Sequence, residues 1–217
     1  MTPGRLVLRA LKEGTRALHH DAERYVRILD ADATLADYAR YLAAMRGFHA
    51  PLEDIFAHDP ALAAAGFAAS ERRKTAFLTA DLKTIASLLA NPAHLPCASA
   101  TLCCPDLPAS TSFARRLGIA YVIEGSTLGG KFILAHLPPA IAAVRGRATR
   151  FLEGYGAATA ARWRSFCALV EHAVRDPVCE AEVIAAACDT FARLIAWLAR
   201  FEAPLDLRVQ GRMRDAS

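Results

Sequence analysis

Apolar residues recur at helical spacing along most of this sequence, and nowhere do they alternate over the length of a strand. That pattern restricts the chain to helices packed on helices, an all-α fold of the irregular, multi-helix kind. Composition points the same way. Of 217 residues 47 are alanine, which propagates helices and contributes little to strands, while aromatics stay at 8%. Hydrophobic residues reach 54%, enough for a sizeable core. One domain over 1–217 is expected, with a core from about 5 to 203 and a polar tail over 204–217.

Caps and prolines set the expected boundaries. A first helix runs from about Arg5 to Leu29, and the loop Asp30–Thr34 ends in a Thr34 cap. A second helix starts at Leu35 and bends or restarts at Pro51. Asp59-Pro60 opens a short turn, and Ser70 caps a helix over Glu71–Ala90 that Asn91–Pro96 ends. A loop rich in proline, cysteine and serine leads to a helix from Phe113 to Leu137, stopped by Pro138-Pro139. Further helices are expected near Arg147–Tyr155, over Ala157–Val174 and over Cys179–Phe201.

The net charge is +4, from 22 arginines and 4 lysines against 22 acidic residues, scattered rather than gathered in a run. No nucleic-acid patch stands out. Arg5, Arg9, Lys12 and Glu13 interrupt the N-terminal segment, so it carries no visible secretory signal. The longest charge-free stretch, Thr84 to Pro105, is broken by Asn91, Pro92 and Pro96, so no membrane partner is expected. Six cysteines, including the vicinal pair Cys103–Cys104, lack C-x-x-C spacing and read as reduced thiols. A cytoplasmic protein is the expectation.

At 100° per residue, Leu8, Leu11, Thr15, Leu18, Ala22, Tyr25 and Leu29 form the apolar seam of the first helix. Lys12, Arg16, His19 and Glu23 form a second lane beside it. His19 lies at the margin of the core, while His20 projects almost opposite. Glu23, four residues after His19, is spaced to orient its imidazole and leave Nε2 for a metal. Lys12 and Arg16 could pair with acidic groups of the same ligand. Taken alone, these residues are more simply explained as a solvated His–Glu pair on an amphipathic helix.

The segment Arg115–Leu137 is the most informative. Glycine costs about 1 kcal/mol inside a helix, so several together need a reason. Gly118, Gly125 and Gly129 project onto one face with Val122 and His136, and Gly130 lies about 100° away. Such bare backbone receives either another helix or a broad flat ligand. His136, on the same lane, is a rival metal ligand or a helix-end cap.

Taken together, Leu11–Glu23 (L-K-E-G-T-R-A-L-H-H-D-A-E) and Tyr121–Lys131 (Y-V-I-E-G-S-T-L-G-G-K) resemble the heme oxygenase family, most closely its bacterial, phytochrome-associated members. The likeness extends through Thr34–Glu53 and Arg72–Leu82, and weakly through Tyr155–Phe166. It implies heme b held as substrate and prosthetic group between a proximal and a distal helix, with His19 as axial iron ligand and Glu23 supporting it. Gly125 and Gly129 fall at the distal glycines, and Lys12, Arg16 and Arg164 at positions that hold propionates. The implied reaction is cleavage of heme to biliverdin, carbon monoxide and ferrous iron. It uses O2 and an electron donor such as a ferredoxin or flavin reductase, with a bilin-accepting phytochrome as a candidate recipient. Where many members carry a distal aspartate, this chain has Ser126, which hydrogen-bonds but is not an anionic acceptor. Ser126, Gly125 and Gly129 are therefore the catalytic candidates. A heme carrier or sensor without turnover is the second reading, and a thiaminase-type helical protein the third.

Overall fold

The computed structural model describes residues 4–89 and 102–201, with side chains from Val7 onward. Among them are nine α-helices and no strand: α1 (Gly4–Glu23), α2 (Leu35–Ala57), α3 (Pro60–Ala64), α4 (Thr75–Leu88), α5 (Phe113–Ala135), α6 (Pro139–Ala142), α7 (Arg150–Glu153), α8 (Thr159–Ala173) and α9 (Pro177–Leu198). Asn91–Pro96, Cys97 and the tail over 204–217 lie outside the described residues.

Local caps start many of these helices. Thr34 and Asp37 form a capping box, the Thr34 hydroxyl accepting from Asp37 N at 3.2 Å and the Asp37 carboxylate from Thr34 N at 2.8 Å. Asp59, Ser112 and Asp176 accept from the first amides of α3, α5 and α9. Because Asp176 caps and Pro177 follows at the first position, α9 begins two residues before the expected Cys179.

Three expectations give way. The first helix stops at Glu23, not Leu29, because Tyr25 N and Val26 N bond three residues back, to Ala22 O and Glu23 O at 3.1 and 3.0 Å. A separate 3-10 turn, Arg27–Leu29, then buries Ile28. Ser70 does not cap α4. The chain makes a 3-10 turn over Ala69–Arg72, and α4 starts at Thr75. Its first amides, Lys74 N and Thr75 N, are capped from α2 by the Glu53 carboxylate at 2.7 and 3.2 Å.

Pro51 does not restart α2, which runs unbroken from Leu35 to Ala57. Proline lacks the N–H that would bond the carbonyl four residues back, at Gly47. Cys104 N takes that carbonyl at 2.9 Å. A Cβ on Gly47 would sit 2.7 Å from Leu102 O, so the segment entering α5 lies directly on bare backbone. Asp81 repeats the capping across helices, accepting from Arg150 N and Phe151 N at the start of α7 at 3.1 and 2.9 Å.

Two apolar clusters form the core. One joins α1, α5, α8 and α9 with the C-terminal half of α2, and the other joins the first half of α2 with α4, α6 and α7. Helix α9 packs along both α1 and α5, and α8 also leans on both, whereas α1 and α5 barely touch each other. Helix α5 is long and apolar enough to cross a membrane by length and composition, but 56% of that window is buried in the protein. Cys103, Cys104, Cys167, Cys179 and Cys188 are free thiols, with Cys104 buried.

Candidate functional site

The two lanes expected on α1 are present. Leu11, Thr15 and Ala22 are buried, and Lys12, Arg16, His19 and Glu23 are exposed. His19 Nδ1 lies 3.5 Å from Glu23 Oε1, an ion-pair distance rather than a short hydrogen bond. The expected contrast with His20 is weaker than the helical wheel suggests. His20 Nδ1 lies 3.4 Å from Glu23 Oε2, so one carboxylate faces both imidazoles, at i+4 and i+3. What separates them is a tether: the His19 ring meets Phe191 of α9 edge-on, with centroids 5.6 Å apart. Lys12 and Arg16, and Arg164 on α8, are also exposed. None of the three forms an ion pair among the described residues, whereas Arg9 is held by Glu13 at 2.8 Å.

The glycine lane of α5 divides into two parts. An added Cβ on Gly118 would lie 2.3 Å from Val183 O and 2.9 Å from Ala187 N, so this glycine lets α9 approach. Gly130 plays the same part for Leu152 O of α7, at 2.8 Å. Gly125 and Gly129 differ. A Cβ on Gly125 would meet only Trp163, at 3.8 Å, and one on Gly129 would meet nothing within 4 Å. Leu128 and Phe132, 41% and 53% exposed, stand beside this open backbone. Bare backbone flanked by exposed apolar side chains fits a flat, apolar group.

His136 follows the cap reading. It ends α5, donates from Nδ1 to Phe132 O at 2.8 Å and stacks on the Phe132 ring. Ser126, half-buried, donates to Ile123 O at 2.7 Å. The described contacts join His19 to Glu23 and Gly125 to Trp163. None joins Ser126 to the α1 lane or to the three basic candidates.

Directly behind the open glycines is a buried charge cluster that sequence reasoning missed. The Glu124 carboxylate, 1% exposed, pairs with Arg72, accepts from Lys74 Nζ at 3.2 Å and accepts from the Tyr155 hydroxyl at 2.8 Å. Lys74 is wholly buried and also donates to Ile123 O at 2.8 Å. Burial pushes the Lys74 amine down, with Glu124 opposing. Burial and the neighbouring Glu124 carboxylate push the Tyr155 hydroxyl far up, so it stays a donor. Below them lie His49 and Glu53. His49 is 1% exposed and pushed down by burial, and its Nδ1 has no hydrogen-bond partner, with Glu53 Oε1 3.8 Å away. Burial raises the Glu53 carboxyl, but the neighbouring His49 ring and the bonds from the α4 amides outweigh it and hold it below its ordinary value. Arg72 and Lys74 fall within the expected helix Glu71–Ala90, where nothing local marks either as buried. Only Gly125 and Ser126, next along the chain, marked the neighbourhood.

Comparison with curated proteins finds no match. The family model described as heme oxygenase matches residues 6–200, which include α5, all but the first two residues of α1 and every candidate above. The chain therefore belongs to the heme oxygenase family.

Proposed function

We propose that this chain cleaves heme b to biliverdin, carbon monoxide and ferrous iron, acting as one domain in the cytoplasm. The bacterial, phytochrome-associated subtype remains our reading for the source and recipient of the product. The observation that carries the proposal is the division of the α5 glycines: two are filled by neighbouring helices, and two are open. Helix packing needs no glycine at Gly125 or Gly129, and about 2 kcal/mol of helix propensity is given up there. A flat ligand against the backbone gives that sacrifice a use.

Heme supplies the redox chemistry when bound, with O2 and electrons from a ferredoxin or flavin reductase. His19, tethered by Phe191, would hold the iron through its unprotonated nitrogen, with Glu23 orienting the ring. Lys12, Arg16 and Arg164 would pair with the propionates and so fix the ligand's rotation in its plane. Gly125 and Gly129 would admit the ligand to the α5 backbone, and Ser126 would hold a proton at Oγ near the reacting face.

Hemin loaded without oxygen and then exposed to O2 and a reductase should give verdoheme or biliverdin absorbance bands. His19→Ala should abolish the axial-ligand spectrum and His20→Ala should keep it; the reverse result would sink the assignment. A second reading, a heme carrier or sensor, draws support from Ser126, whose hydroxyl is bonded to backbone. It requires a Soret band unchanged by O2 and reductant.

A further inference from the structure

Three donors converge on the carbonyl oxygen of Ile123, which has two lone pairs. Lys74 Nζ lies 2.8 Å away and Ser126 Oγ 2.7 Å. The geometry of α5 aims the Thr127 amide at the same atom. Two of the three are fixed. The amide belongs to the helix ladder, and Lys74 is wholly buried and also bonded to Glu124 Oε1 at 3.2 Å. Glu124 is in turn held by Arg72 and by the Tyr155 hydroxyl. The single Tyr155 proton is shared between Glu124 Oε1 at 2.8 Å and Arg72 O at 3.1 Å, which closes the cluster. Only the half-buried Ser126 hydroxyl can leave by rotating about a single bond.

We propose that Lys74 is a positioning residue for Ser126. By satisfying the Ile123 carbonyl from the protein interior, it makes the serine's backbone bond dispensable and frees the hydroxyl to turn toward the space beside Gly125 and Gly129. In ordinary helices a serine bonded back to its own turn stays there, because the carbonyl has a lone pair to offer. Here that lone pair is contested by a charged donor, and charge-assisted bonds are the stronger. The buried cluster thereby acts on the open face through one carbonyl oxygen. What the freed hydroxyl serves rests on the heme reading; its freedom does not.

The first test uses the full chain without heme and reads the Ser126 χ1 populations from NMR couplings. The wild type should average over more than one rotamer. Lys74→Met should collapse the populations to the single rotamer bonded to Ile123 O. Tyr155→Phe removes a donor from Glu124 and draws Lys74 toward the carboxylate, so it should shift the populations the same way by less. Tyr155→Phe decides the matter if Lys74→Met fails to fold, and unchanged populations in the folded variants overturn the proposal. The second test uses hemin-loaded protein and reads the pH midpoint of the alkaline transition of the ferric spectrum. A freed hydroxyl that donates to the ligand lowers that midpoint, so Lys74→Met and Ser126→Ala should each raise it by about half a unit. The double variant should raise it no further, and additive shifts would refute the coupling. Failure of the wild type to bind hemin through His19 would sink the heme reading and leave the rotamer result standing.

Discussion

Helix α5 carries two kinds of glycine on one face. At Gly118 the missing side chain is filled by α9, whose Val183 carbonyl would lie 2.3 Å from a Cβ. At Gly129, three turns on, the missing side chain is filled by nothing within 4 Å. The sequence presents them as one repeat, and helical geometry puts them on one lane, yet one serves packing and the other serves access. A glycine repeat therefore constrains the backbone without saying what comes against it. The neighbours decide, and they come from α8 and α9, far along the chain.

Gly118→Ala should break the packed half outright. Its Cβ would meet backbone atoms that cannot rotate away, so α5 and α9 must separate, at a cost of about 3 kcal/mol. Chemical denaturation should report that loss, and wild-type stability would mean that the two halves of the lane do not differ. Gly129→Ala should do the opposite. With the position open, the heme-free protein should gain about 1 kcal/mol from helix propensity, while titration should find hemin affinity about tenfold weaker. Gain without weaker binding would locate the ligand elsewhere.

The smallest effect sharpens the packed side further. His49 is held neutral by burial, below its ordinary value of 6.5. Below that pH the unfolded chain takes up a proton that the folded chain refuses, so stability falls as pH falls. The slope is at most about 1.4 kcal/mol per pH unit for one group, until the folded value is reached. Glu53, held below its ordinary value, adds a further loss at lower pH, as its carboxylate is protonated. His49→Gln should flatten the first part of this acid limb, read from urea midpoints across pH. An unchanged limb would mean that the folded chain protonates His49 as readily as the unfolded chain does.

Much of the fold was legible because its signals are local. Thr34, Asp59 and Ser112 cap helices whose starts the sequence predicts, and the α1 seam follows from periodicity alone. What escaped depends on contacts distant in sequence. Glu53 reaches from α2 to cap α4, so Ser70 looked like the cap. Pro51 reads as a bend or a restart, and nothing local shows that Cys104 takes the carbonyl it leaves free. At the site, the His19–Glu23 pair and the open glycines were visible as spacings. The second partner of Glu23, His20, was not, because a wheel treats side chains as radial spokes and long ones bend. The Arg72–Lys74–Glu124 cluster was invisible for a broader reason: charged residues are solvated by default, and nothing local marks the exceptions.

That cluster also fixes how far along its axis α5 can dock. Apolar ridges repeat every turn, so outside the tight fits at Gly118 and Gly130 the leucine, isoleucine and valine lining of α5 says little about its position along the axis. Glu124 cannot slide. One turn in either direction would carry its carboxylate away from Arg72, Lys74 and Tyr155 and leave opposite charges stranded in the core, a loss of about 3–5 kcal/mol for each broken pair. The ions behave as a key in a ward lock. Together with the close fits at Gly118 and Gly130 they admit one register of α5, and that register sets Gly125 and Gly129 over open space.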